Sequence, residues 1–307
     1  MRFRYSGHET FQCRYAWLPK AYAAVKENPT IFTDENEAMV RLGIGKNMVR
    51  ALRFWAQVAG VIESSSEQAG YNVTSFGDSI FGQEGFDPYL EDIKTLWLIH
   101  WKLMAHFEEP LFAWYFLMNE WTGVELSRSK ILKAFDVEVQ RQERALSKAT
   151  LEQHLDMFFH TYLPTKSRKG EVVEDNLDCP LTELRLLSYA GERDDSDTGR
   201  REPIYTFRKD RKPEISGSLL AYCLYDYWRL NKPNELTLSF REVAIFPNSI
   251  GQVFKLTELD LRERLEEIYL DSTGLFEYQA SAAVPRIVRN FTPNEDVEKI
   301  LLKRIYE

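Results

Sequence analysis

The segment DENEAMVRLGIGKNMVRALRFWAQVAG, residues 34–60, carries the clearest signals for secondary structure in this chain. Asp34 followed by Glu37 is typical of a capped helix start, and Gly43-Ile44-Gly45 predicts a tight turn. In the first helix, Ala38, Val40 and Leu42 are the expected apolar positions. A second helix is predicted over 46–59, where apolar residues recur on one face: Val49, Leu52 and Ala56. Two short helices across a tight turn indicate a helix-turn-helix.

The flanking segments extend this pattern. Residues 16–27 predict a preceding helix that ends at Asn28-Pro29, since proline disfavours its continuation. After the second helix, the runs 61–63 and 71–74 predict a β-hairpin across a polar loop. Three helices followed by a hairpin are typical of a winged helix-turn-helix.

The middle of the chain predicts a buried helical spine. Residues 95–107 are apolar nearly all round except Lys102, which predicts a helix enclosed by protein, and 112–121 are expected to join it. The winged order then recurs, with helices over 127–135 and 147–163 and a strand over 204–207.

A third unit is predicted from similar signals. Its expected elements are a helix over 216–230, a short helix that starts with a capping box at Ser239–Glu242, strands over 275–278 and 286–289, and a last helix over 294–305. A further helix is expected from Thr257, with an apolar side formed by Leu259, Leu261, Leu265 and Ile268.

The predicted fold is therefore mainly α with small β-hairpins, as tandem winged helix-turn-helix units packed around a central hydrophobic helical spine. The expected division is an N-terminal winged-helix unit (1–92), central helices with a second winged unit (93–212), and a C-terminal helical unit that a hairpin would make winged (213–307).

Charge distribution restricts where a polyanion could bind. The net charge of −8 opposes nucleic-acid binding, but residues 81–125 alone carry −6, while residues 1–80 carry +1. We therefore expect any DNA surface on the N-terminal unit or on basic loops of the middle, with modest affinity.

Other classes of protein are disfavoured. The cysteines Cys13, Cys179 and Cys223 are odd in number and widely spaced, which fits a reducing cytoplasm and neither a disulfide framework nor a zinc knuckle. The longest apolar stretch, 111–118, is far below the roughly 18 residues of a membrane span, so no membrane role is expected. The chain has no Walker loop, GxGxxG, HExxH or GxSxG motif, so no nucleotide cofactor is expected.

Two basic patches are candidates for DNA binding. Lys46, Arg50 and Arg53 share one face of the helix after the turn, with Asn47 beside them. Lysine and arginine neutralise phosphates or contact guanine, and asparagine can bind adenine. The alternative is a solvated basic face without a ligand. The second patch lies in the loop after 147–163 and comprises Lys166, Arg168 and Lys169.

Two groups of residues could support hydrolysis. His8 and Glu9, in SGHETF (6–11), could transfer protons or bind a metal ion, although His8 could equally satisfy backbone groups where the N-terminal arm covers a core. Asp87, Glu91 and Asp92 offer oxygen ligands for a metal, but helix capping explains them better. His100 and His106 are expected to be core or interface histidines.

Several segments resemble one family, long catalogued as a domain of unknown function: the SspB-type proteins of single-strand DNA phosphorothioation. The matching segments are 5–11, 14–18, 42–50, 87–92, 95–101, 174–181 and 253–256, so the likeness spans nearly the whole chain. His8, Glu9, Lys46, Asn47 and Arg50 lie within them.

The resemblance implies a DNA-nicking endonuclease of a bacterial anti-phage defence system, in which sulfur replaces a non-bridging phosphate oxygen. The implied partners are DNA, a cysteine desulfurase, an ATP-pyrophosphatase-like sulfur transferase and an ATPase. A nickase would use a divalent ion, magnesium or manganese, and the sequence leaves its ligands unassigned. Two alternatives stay open: a non-catalytic DNA-binding recruiter of the sulfur-transfer machinery, and a winged-helix transcription regulator.

Overall fold

The computed structural model describes residues 2–67, 69–105, 109–165, 179–195, 199–281, 284–292 and 294–307. Helices account for 51% of the chain, which confirms the mainly α prediction. Among the described residues the strands form small antiparallel sheets of two or three strands. No helix in the described part of the chain combines the length and apolar character that crossing a bilayer requires.

The N-terminal elements follow the predicted order. They are α1 (Trp17–Glu27), α2 (Glu35–Leu42), α3 (Lys46–Val58), β1 (Ile62–Ser64), β2 (Tyr71–Val73) and α4 (Ser75–Phe81). Asp34 caps α2 by accepting hydrogen bonds from the N–H groups of Asn36 and Glu37. Gly43, at φ +66°, ends the helix in the left-handed region that favours glycine.

The central elements are α5 (Ile93–Met104) and α6 (Phe112–Tyr115), which continues into a π-helical turn (Phe116–Glu120). Every residue from Thr95 to Trp101 is buried, which confirms that α5 is enclosed by protein. An isolated bridge between Arg4 and Leu111 holds the N-terminal arm against this region.

Two three-stranded sheets follow. The first region contains β3 (Leu126–Ser127), α7 (Arg128–Arg141), α8 (Lys148–Tyr162), a 3-10 helix (Pro180–Leu184), β4 (Leu187–Asp194) and β5 (Arg201–Phe207). The second contains α9 (Gly217–Asn231), β6 (Thr237–Ser239), α10 (Phe240–Ile245), α11 (Ile250–Val253), α12 (Glu258–Glu266), α13 (Ile268–Asp271), β7 (Phe276–Gln279), β8 (Arg286–Arg289) and α14 (Glu295–Tyr306). Their strand orders are β3-β5-β4 and β6-β8-β7, so each sheet places its first strand beside its last.

Two apolar side chains lie on the wrong face for the predicted helices. Val40 is 84% exposed and Leu259 is 68% exposed. Each lies two residues from a buried neighbour, Ala38 and Leu261 respectively. Because successive helical residues are about 100° apart, a separation of two places the side chain nearly opposite the core.

A buried chain of hydrogen bonds joins four helices at the centre. The Trp114 indole N–H donates to the Tyr162 hydroxyl oxygen at 3.1 Å. His100 Nε2 donates to the Val253 carbonyl at 3.0 Å, so its Nδ1 accepts from the Tyr162 hydroxyl at 2.7 Å. Burial lowers the pKa of His100 to about 4 and raises that of Tyr162, so the ring stays neutral and the hydroxyl protonated.

A buried carboxylate fixes α9 to α5. Asp226 accepts from the Trp101 indole N–H at 2.9 Å and pairs with Lys102 at 2.9 Å and Arg229 at 2.7 Å. Burial alone would raise the pKa of Asp226, but the two cations outweigh it and hold that pKa at about 2. The carboxylate is therefore ionised and fully paired, as burial of a charge requires.

Tyr162→Phe should lower the free energy of unfolding by about 1–3 kcal/mol, because it leaves the Trp114 N–H and His100 Nδ1 buried without partners. Urea denaturation at neutral pH measures this, with Tyr89→Phe as the control because Tyr89 is 76% exposed. Equal stability of both variants and the wild type would refute a structural role for this hydroxyl.

Candidate nucleic-acid interface

The N-terminal half of α3 presents its polar side chains to solvent. Lys46 and Asn47 are exposed in the first turn, and Arg50 and Arg53 are partly exposed further along. The opposite face packs inward, and the predicted inward residues Val49, Leu52 and Ala56 are all buried. The structure therefore brings the four predicted DNA-binding residues of this helix onto one accessible side.

Glu35 of α2 forms ion pairs with two of these cations, Lys46 and Arg50. Its carboxylate pairs with Lys46 at 3.0 Å and receives two hydrogen bonds from the Arg50 guanidinium, at 2.5 and 3.1 Å. The hydrogen bond from Arg50, followed by that from Lys46, lowers the pKa of Glu35 to about 2, so the carboxylate stays charged. The three groups together carry one positive charge, and a DNA phosphate would compete with Glu35 for both cations.

The hairpin beside α3 offers no cation to a phosphate. Residues 61–74 contain no lysine or arginine, and Glu63 and Glu67 are exposed. Arg53 makes no ion pair within the described ranges, which leaves its guanidinium available to a ligand. Phosphate contact by this part of the molecule therefore depends on α3.

A tight reversal of the backbone at residues 7–10 buries His8 and leaves Glu9 partly exposed. Gly7 has φ +117°, and a Cβ there would lie 2.6 Å from the Phe54 ring, so the position needs glycine. Glu9 (φ 48°) and Thr10 (φ 63°) also occupy the left-handed region. His8 is buried, whereas Glu9 is partly exposed and its charge adds to that of Glu35 in raising the pKa of Arg50.

His8 packs against a second buried histidine, His154 of α8. The rings stack with centroids 5.6 Å apart, and His8 Nε2 lies 3.4 Å from His154 Nδ1. Because the Thr10 N–H donates to His8 Nδ1, the proton of His8 lies on Nε2 and points to His154. His154 then carries its proton on Nε2, which is buried with no partner among the described residues.

Burial keeps both histidines neutral. It lowers the pKa of His8 to about 4 and, together with the charge of His8, lowers that of His154 to about 3. The structural alternative for His8, a ring that satisfies backbone groups under the N-terminal arm, matches this geometry. No local pattern predicts His154 as the partner of His8, since the two residues lie 146 positions apart.

Two of the three carboxylates of 87–92, those of Asp87 and Asp92, accept hydrogen bonds from backbone N–H groups. Asp87 is buried and accepts from the N–H groups of Glu91 at 2.8 Å and Asp92 at 3.0 Å. Asp92 caps α5 by accepting from the Lys94 N–H. The capping interpretation is therefore confirmed for Asp92. No group of three histidine, cysteine or acidic side chains in the described part of the chain has a metal-binding arrangement.

Some predicted residues fall outside the description. Lys166, Arg168 and Lys169 lie within 166–178, and His106 within 106–108, which are not among the described residues. The basic loop after α8 therefore stays a prediction. Conversely, sequence reasoning missed Glu35, because a carboxylate in the first turn of a helix is most simply explained by the helix dipole.

Fold and surface together define a mainly helical protein with small antiparallel sheets and a cationic face on α3. The sequence profile of the family described as "Protein of unknown function (DUF4007)" matches residues 5–306. The chain belongs to this family.

Known structures share the fold. Crystal structures of SspB and of magnesium ion-bound SspB superpose with TM-scores of 0.82 and 0.81 at 24% sequence identity, covering 97% of this chain and 87% of each of those chains. No curated protein sequence matches the chain.

Stability should fall as the pH is lowered from 6.5 towards 4. The pKa of His154 is about 3 in the folded chain, against an ordinary value of 6.5 in the unfolded chain. Below pH 6.5 the unfolded chain therefore binds a proton at this histidine that the folded chain does not bind, and this stabilises the unfolded state. Between pH 7.5 and 5 this histidine alone should remove about 2 kcal/mol of stability.

Urea denaturation at pH 7.5 and 5 measures the free energy of unfolding of the wild type and of His154→Gln. The variant should lose about 2 kcal/mol less stability than the wild type between these two pH values. His160→Gln, an exposed residue of the same helix, is the matched control and should behave as wild type. An unchanged pH dependence in His154→Gln would show that this ring does not control acid stability.

Proposed function

We propose that the chain is a DNA-binding protein of a bacterial phosphorothioation system and that α3 is its DNA-contacting helix. The main support is the accessible polar side of α3, which begins directly after the turn at Gly43. On this side Lys46 and Asn47 are exposed, and Arg50 and Arg53 are partly exposed. The fold shared with SspB supports the assignment to that system.

The topology supports winged-helix units. In the N-terminal part of the chain, three helices precede the hairpin β1–β2. In the regions of the two three-stranded sheets, a strand, β3 or β6, is followed by helices and then by two further strands, and that strand pairs with the last one. This is the arrangement in which a winged helix presents one helix to the major groove, and in the N-terminal unit that helix would be α3.

We further propose that the protein nicks DNA with a divalent metal ion, magnesium or manganese. One of the SspB structures is magnesium ion-bound, which supports this choice of ion. Of the two residues proposed for catalysis, Glu9 has a partly exposed carboxylate beside the cations of α3 and could reach a bound strand. His8 would act indirectly, because its Nδ1 accepts from the Thr10 N–H and so stabilises the tight reversal that contains Glu9.

A non-catalytic recruiter is the second candidate, and one observation favours it. His8 is enclosed by the Phe54 and His154 rings, where it cannot touch a substrate. In this version the protein would bind DNA and deliver it to the proposed partners, the cysteine desulfurase, the ATP-pyrophosphatase-like enzyme and the ATPase.

A plasmid assay separates the two candidates. Wild-type protein is incubated with supercoiled plasmid and magnesium or manganese, with and without a chelator, beside Glu9→Gln and His8→Ala. Metal-dependent conversion to open circles that Glu9→Gln slows supports the nickase. Binding without conversion supports the recruiter, and equal conversion by every variant indicates a contaminating nuclease.

DNA affinity should respond in opposite directions to two changes in the same charge cluster. Replacing both Lys46 and Arg50 by alanine should weaken duplex binding at least about tenfold at low salt and flatten the salt dependence by about 0.9 per lost phosphate contact. Glu35→Gln should tighten binding, because Lys46 and Arg50 are released to phosphate.

Fluorescence anisotropy with a labelled duplex at several salt concentrations measures both effects. Glu37→Gln is the matched control, because Glu37 is an exposed acid of the same helix turn that makes no ion pair in the described part of the chain. Equal affinity of the double alanine variant and the wild type would remove α3 from the DNA interface.

A further inference from the structure

A cleft of about 370 Å³ lies between the segment after the π-helical turn, the end of β5 and helices α10–α12. We call it the Lys255 cleft. Its size falls within the range of about 300–1,000 Å³ that is typical of small-molecule sites. The lining side chains that matter here are Trp121, Phe207, Lys209, Gln252, Lys255 and Glu258.

Two lysines line this cleft without a carboxylate partner. Lys255 donates to the Met118 carbonyl at 2.5 Å and to Gln252 Oε1 at 3.4 Å, and its ammonium lies 4.7 Å from the centre of the Phe207 ring. Lys209 is exposed, and neither lysine forms an ion pair within the described ranges. Burial, and then the charge of Lys209, lowers the pKa of Lys255 to about 8.

This arrangement favours an anion. Two like charges near each other, one of them largely removed from water, are stabilised when an anion binds between them. A phosphate monoester carries about two negative charges and accepts several hydrogen bonds, so it matches the pair better than a single carboxylate. Glu258 also lines the cleft, and its single negative charge offsets only one of the two lysine charges.

The rest of the cleft suits a flat ring. Trp121 and Phe207 supply aromatic surface, and Leu256 and Ala244 add apolar wall. A Cβ at Gly123 would lie 2.8 Å from the Trp121 Nε1, so this glycine allows the backbone to rest on the indole. The Trp121 N–H is buried with no partner among the described residues.

We propose that the Lys255 cleft binds a nucleotide, with the base packed against Trp121 and Phe207 and the phosphate held by Lys209 and Lys255. Aromatic side chains beside cations are the combination by which proteins hold single nucleotides of a strand. The nucleotide could be free or at a DNA strand end. The strand-end form rests on the proposed DNA function, whereas the free form is independent of it.

Calorimetric titration of the full chain tests the site with defined probes: dAMP, deoxyadenosine, inorganic phosphate and a 5′-phosphorylated single-stranded oligonucleotide. dAMP should bind with a Kd below about 1 mM, and deoxyadenosine and phosphate should each bind at least about tenfold more weakly. Lys209→Glu should weaken dAMP binding at least about tenfold, whereas Lys303→Glu, an exposed lysine of α14, should leave it unchanged.

The outcomes distinguish the sources of the nucleotide. Binding of the oligonucleotide but not of dAMP, lost in Lys209→Glu, supports the strand end. Binding of dAMP that persists when both Lys46 and Arg50 are alanine supports a site separate from the α3 surface, even if duplex binding fails. Absence of binding by every probe up to about 5 mM, or equal binding by Lys209→Glu and Lys303→Glu, overturns the proposal.

Discussion

The two hydrogen bonds of the buried Tyr162 hydroxyl hold the central helices of the protein together. The hydroxyl accepts from Trp114 of α6 and donates to His100 of α5, which in turn donates to the Val253 carbonyl of α11. All four residues are buried, so none has water as an alternative partner. The polar groups are satisfied only when α5, α6, α8 and α11 take their native positions together.

The position of α3 follows from the same centre. Trp55, on its buried face, packs edge-on against Trp114 with ring centroids 6.2 Å apart. Its indole N–H also donates to the Phe11 carbonyl, which anchors the segment carrying His8 and Glu9. The inward side of α3 is thus fixed to the core and its cations point outward, where Glu35 limits their charge. For the proposed DNA binding, an acidic protein whose cationic face is moderated by Glu35 predicts modest affinity that depends on salt.

Much of the fold could be predicted from local pattern. The two helices on either side of the glycine turn at 43–45 and the capping box at Ser239–Glu242 have strong local causes, and they form as expected. Strands β3, β4 and β6 were missed. Two of them have only two or three residues, too few for an alternating pattern, and β4 (LSYAGERD) is mostly exposed and interrupted by a bulge.

The site was less predictable than the fold, for a physical reason. Basic residues at helical spacing predicted one face of α3, but their partner Glu35 belongs to another helix. His8 could be singled out, whereas its neighbour His154 lies 146 residues away and is brought to it by tertiary packing alone. The lysines of the Lys255 cleft likewise come together only when the end of β5 meets the turn after α11.

In the proposed function, the accessible side of α3 contacts the DNA. Hydrogen–deuterium exchange of the full chain, with and without a saturating DNA duplex, tests it directly. The account predicts slower exchange in peptides that cover residues 34–58 and the reversal at 7–10. Protection confined to other segments, with unchanged exchange across 34–58, would contradict it.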